Sequence, residues 1–130
     1  MNLKEITDRN DIDILVKSFY DKLLQDDLLK TIFQKMVVSH LDAHLVTIAD
    51  FWDSILLDAN NYRGNVTEKH FEVDKQFQLS KAEFDRWLLH WNSTIDELYT
   101  GEKAEMAKFR AKSIADIMQY KLEYIRKNQP

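Results

Sequence analysis

Strong chain breakers are almost absent from this sequence. Of its 130 residues only Gly64, Gly101 and Pro130 are glycine or proline, and Pro130 is the last residue. A sheet with many tight turns needs such residues at each reversal, so their scarcity points to a few long helices. The length suits one ordinary domain that can bury a core without covalent staples. A single all-α domain over residues 1–130 is therefore expected. No cysteine is present, which removes disulfides, thiolate catalysis and Cys-ligated metal sites from consideration.

The charge pattern narrows the partners. The formal net charge is −4, with acids and bases interleaved. A nucleic-acid partner would call for a basic stripe, and none is visible. The opening MNLKEITDRNDID lacks signal-peptide architecture, and no apolar run approaches the roughly 20 residues of a membrane span. A soluble, cytoplasmic chain without nucleic-acid or membrane partners is the expectation.

Helical periodicity organises the chain. Asn10 or Asp11 is placed to cap a first helix whose stripe is Ile12, Leu15, Val16, Phe19, Tyr20, Leu23 and Leu24. LLKTIFQK reads as a short helix carrying Ile32 and Phe33. A second long helix, capped near Ser39, gathers Leu41, His44, Leu45, Ile48, Trp52, Ile55 and Leu56 on one face, with Phe51 adjoining. The segment DANNYRGNV breaks the pattern, with Gly64 as its expected positive-φ residue, and Thr67 can cap a short helix containing His70. Ser80 and Glu83 form a capping-box pattern ahead of Phe84, Trp87, Leu88, Trp91, Ile95 and Leu98. After Gly101 a last helix is expected to face inward through Met106, Phe109, Ile114, Ile117, Met118 and Ile125.

Four polar side chains stand out. His70 reads either as an axial metal ligand or as a solvated residue in the polar TEKH segment. His44 lies on an apolar face, where a histidine is usually a hydrogen-bonded boundary residue. With His40 it makes an H-x-x-x-H spacing, but Leu41 stands where a zinc protease needs glutamate. Tyr20 and Trp87 each carry a hydrogen-bond donor on an inward stripe, as ordinary core aromatics or as donors to a bound polar molecule. The carboxylates read as solvated surface charge, and no phosphate loop or nucleophile elbow is present.

As an ordered set, SFYDKLLQDDLLKTIF, HLVTIADFWDSILLDANNYRGNVTEKH and FDRWLLHWNSTIDELYTGEKAEMAKFRAKSIADIM resemble the group III truncated haemoglobins along nearly the whole chain. The specific combination is Tyr after Phe in the first helix, FW seven residues after a helical His, a Y-x-G turn leading to a His, and F-x-x-W-L beyond it. The resemblance implies a shortened globin fold, a two-over-two helical sandwich around haem b (iron protoporphyrin IX). It implies His70 as the proximal iron ligand, and Tyr20 and Trp87 as distal donors to a diatomic gas such as O2, NO or CO. His44 falls at the distal position associated with ligand gating, and Phe33, Ile48, Phe51 and Trp52 at haem-packing positions. Leu41 departs from a tryptophan common at that place.

The implied function is oxygen or other diatomic-gas binding at ferrous iron. An alternative is a haem enzyme, peroxidase-like or a nitric-oxide dioxygenase, served by a separate reductase. A third possibility is a helical interaction module that has lost haem, against which the intact His70 argues.

Overall fold

The computed structural model describes residues 3–36, 40–58 and 79–128. His70, Gly64, Thr67 and Ser39 lie outside the described residues. Five helices run through the described residues: α1 (Arg9–Leu23), α2 (Lys30–Met36), α3 (Leu41–Leu56), α4 (Lys81–Leu98) and α5 (Glu102–Lys127). The expected all-α class is what is observed.

The first helix starts earlier than the sequence suggests. Asp8, in extended backbone, caps α1 by accepting the Asp11 amide at 3.1 Å. Asn10 and Asp11 therefore sit inside the first turn. Asp11 points the other way, accepting from the Thr7 amide at 2.9 Å and from Lys4. Lys4 and Tyr99 form an isolated parallel bridge, and the Tyr99 hydroxyl donates to the Asp11 carbonyl at 2.7 Å. This knot ties the segment before α1 to the α4–α5 junction, with Ile6 buried beneath it.

Two helix pairs form the body. α1 packs on α3, α4 packs on α5, and the pairs meet chiefly where α1 crosses α4, with α3 touching α5. The stripe of α1 is buried at Ile12, Leu15, Val16, Phe19, Tyr20 and Leu23, as its spacing requires. Each such side chain contributes roughly 1.5–3 kcal/mol on full burial. The capping box of α4 forms as expected: Glu83 Oε1 accepts from the Ser80 amide at 2.7 Å. Gly101, with φ +99°, makes the turn into α5, and a side chain there would collide with Glu5.

The last helix corrects the sequence reading. Its buried face is Ala104, Ala107, Ala111, Ala115, Met118 and Leu122. Met106, Phe109 and Ile117, expected inside, are instead exposed, Phe109 at 69 %. Alanines on the inner face let α5 approach its neighbours closely, and a hydrophobicity ranking overlooks such small residues. That leaves the large side chains outside.

Candidate functional site

The candidate site begins on α3, which carries two adjacent faces. Ala49, Trp52, Asp53 and Leu56 are buried in the core. Next to them Leu41, His44, Leu45, Ile48, Phe51 and Ile55 are only half-covered. Six neighbouring positions, five of them apolar and none fully buried, form a wall.

At one edge of the wall the Tyr20 hydroxyl and His44 Nε2 are 2.7 Å apart. Tyr20 is 5 % exposed and its burial pushes the phenol pKa well above the ordinary value, so it is a neutral hydroxyl at physiological pH. Phe33 and Phe19 meet the Tyr20 ring edge-on at 5.6 and 5.5 Å. Phe19 also meets Trp87 edge-on at 5.7 Å, so one buried ring links the two expected donors. Trp87 is half-buried, one turn from Trp91, and their rings are parallel at 6.4 Å.

The structure thus brings Tyr20 and His44 into contact and joins Trp87 to them through Phe19. Ile48, Phe51 and Phe33 are half-covered beside them. Trp52 is different: it is 2 % exposed and stacks on Trp91 at 4.5 Å, meeting Phe51 edge-on at 5.3 Å. It supports the wall from behind. His70 lies outside the described residues. Among the described residues, no group of three or more His, Asp or Glu side chains gathers as for a metal ion. No helix there is long and apolar enough to cross a membrane.

One arrangement escaped the sequence reading, which took the carboxylates for solvated charge. Asp11, Asp26 and Asp53 are buried. Asp26 accepts from Arg86 Nη1 at 2.8 Å, His90 Nε2 at 2.6 Å, and the Leu28 and Leu29 amides at 2.7 and 3.0 Å. Burial alone would raise its pKa. The hydrogen bonds from His90, Arg86 and the two amides outweigh that and hold it at about 2. This clamp joins the α1–α2 turn to the α4 residues flanking Trp87. The run of acids after the first stripe, QDD, was the only local sign of it; its partners are 60 and more residues away.

The two helix pairs, stacked one over the other beside a half-covered apolar wall, are similar to the shortened fold of the truncated globins. Comparison with known proteins agrees. The chain is similar to the group 3 truncated hemoglobin Ctb of Campylobacter jejuni, at 26% identity over 118 residues, covering 88% of this chain and 91% of that protein. The crystal structure of the group III truncated hemoglobin from Campylobacter jejuni superimposes with a TM-score of 0.84 at 25% identity, over 93% of this chain and 95% of the other. No family model matches the sequence. The resemblance to the group III truncated haemoglobins expected from the sequence therefore holds in both sequence and fold.

Proposed function

We propose that this chain is a haem-binding globin that takes up oxygen or another diatomic gas at ferrous iron, with iron protoporphyrin IX lying against the half-covered wall of α3. The observation that carries the reading is the 2.7 Å contact of Tyr20 with His44 at the edge of that wall. A flat, largely apolar group with one polar centre calls for this combination of half-covered aliphatic and aromatic side chains around a few convergent polar groups. In this reading His70 would hold the iron, Ile48, Phe51 and Phe33 would pack on the porphyrin, and Trp52 backs Phe51. Apolar area removed from water there contributes roughly 25 cal/mol per Å². When bound, haem supplies the iron at which a diatomic gas attaches.

The chain's own residues then set how long the gas stays. Tyr20 and Trp87 serve as hydrogen-bond donors toward it, effective because the neighbouring rings exclude water. The tautomer of His44 decides what Tyr20 can do. With the proton on Nε2, His44 donates to the Tyr20 oxygen and the phenolic hydrogen turns toward the pocket. With the proton on Nδ1, Tyr20 donates to Nε2 and its only hydrogen is used there. Movement of His44 thus changes both the opening of the wall and the donor beneath it. Two donors favour retention over delivery, so ligand binding linked to redox chemistry is the preferred role.

Replacement Tyr20→Phe should speed gas dissociation about tenfold, the equivalent of roughly 1.4 kcal/mol for one hydrogen bond. Flash photolysis or stopped-flow mixing measures it; an unchanged rate would remove Tyr20 from the donor role. The same contact supports a second reading, a haem enzyme of peroxidase-like or nitric-oxide dioxygenase type using a separate reductase. A Tyr–His couple can move a proton during bond cleavage. Rates with peroxide or nitric oxide no faster than for free haem would exclude it.

A further inference from the structure

The large side chains left outside on α5 form an ordered stripe. Met106, Phe109 and Ser113 are followed eleven residues later by Ile117, Tyr120 and Tyr124. An eleven-residue repeat keeps a stripe on one side of a nearly straight helix. Phe109, Ile117, Tyr120 and Tyr124 are 69%, 50%, 71% and 61% exposed. Together with Met106 they present on the order of 500 Å² of ring and alkyl surface, judged from the size of such side chains. That is the upper range of the largest apolar patch on a typical monomer. A shallow apolar recess lined by Tyr120, Lys121, Tyr124 and Ile125 lies at its C-terminal end.

Two acids and two bases beside the stripe are spaced with the same period, one sign on each flank. On one flank stand Glu105 and, eleven residues on, Asp116. On the other stand Arg110 and, eleven residues on, Lys121. All four are exposed; Glu105 lies 3.5 Å from Lys108 and Asp116 holds Lys112 at 2.6 Å, and the two acids still have 74% and 55% of their side chains in solvent. Each acid precedes a base by five residues. That is the offset at which side chains on the two flanks of neighbouring helices meet when the helices run parallel.

We propose that the stripe is the contact surface for a second copy of this chain, the two α5 helices pairing in parallel about a two-fold axis along them. In that arrangement Glu105 and Asp116 of one copy face Arg110 and Lys121 of the other, twice over. Antiparallel pairing would set acid against acid and base against base. The half-buried Ser113 at mid-stripe lets the backbones approach, and Tyr124 enters the recess of the opposite copy. With the flanking charges included, the covered area approaches the roughly 800 Å² per partner of a standard stable interface. The inference is independent of what the α3 wall binds.

The test is sedimentation of the purified 130-residue chain from roughly 1 μM to 1 mM, the range of moderate dissociation constants. Wild type should dimerise within it. The double variants Arg110→Glu/Lys121→Glu and Glu105→Lys/Asp116→Lys should each dimerise at least roughly tenfold more weakly, having like charges on both flanks. An equimolar mixture of the two should recover dimers, which also shows that each variant is folded. Because the chain has no cysteine, Met106→Cys reports orientation: parallel pairing brings the two thiols together, and oxidation yields a covalent dimer. Wild type remaining monomeric, dimers indifferent to the charge reversals, a mixture that does not recover, or Met106→Cys failing to cross-link would each overturn the proposal.

Discussion

Trp87 and Trp91 lie one turn apart on α4 with parallel rings, yet they belong to two differently built regions. Around Trp91 everything closes on itself. The indole is 0% exposed, stacks on Trp52, meets Phe19 edge-on at 5.0 Å and donates to the Ala107 carbonyl at 3.2 Å. Around Trp87 and the α3 wall, side chains of equal hydrophobicity remain half-covered, and the polar pair Tyr20–His44 sits at their edge. One region has spent its surface on stability; the other leaves apolar surface half-covered. The difference lies in coverage rather than in residue type.

Substitution can break this contrast. Trp91→Ala should cost about 3–5 kcal/mol, through the cavity and the lost partner of the Ala107 carbonyl, whereas Trp87→Ala should cost less than about 2 kcal/mol. Denaturant unfolding measures both, and equal losses would erase the distinction. Asp26→Asn comes next, at about 2 kcal/mol, because it removes a buried carboxylate that accepts from the half-exposed Arg86 and from His90. The pH dependence has a definite sign. The Asp26 pKa falls from 3.8 unfolded to about 2 folded, so its contribution is fully present above about pH 4 and is lost as pH falls toward 2. Acid titration of stability should be flatter in this interval for the Asn variant. A slope equal to that of wild type would show that the clamp is not formed. The smallest effect belongs to the capping box: Glu83→Ala should cost about 1 kcal/mol in thermal or denaturant melts.

The closed region was partly legible in the sequence, and its failures have physical causes. The stripe of α1 and the capping box at Ser80 follow from spacing, which local rules capture. The register of α5 did not, because its inner face is built from Ala104, Ala107, Ala111 and Ala115. Close approach of backbones selects alanine there, against the hydrophobic ranking. The buried state of Asp26 depends on Arg86 and His90, 60 and 64 residues away, and no local window contains both ends. Asp8 took the cap from Asn10 and Asp11 because Asp11 was drawn to Lys4 and Thr7. For the α3 wall, helical period placed Tyr20 and His44 on inward faces. Their 2.7 Å contact was not itself foreseen, since the sequence reading treated them as separate candidates. Trp52, expected at a haem-packing position, stacks on Trp91 and meets Phe51 edge-on, contacts that residue type alone does not encode.

The proposal that the α3 wall receives haem, held by His70, is tested most directly by absorption spectroscopy of the purified chain after stoichiometric haem addition. Reduction and carbon monoxide should give a sharp, shifted Soret band in wild type. The His70→Ala variant should lose this axial signature and regain it with added imidazole. Absence of a protein-bound haem spectrum in wild type, or an identical spectrum in His70→Ala, would contradict the account.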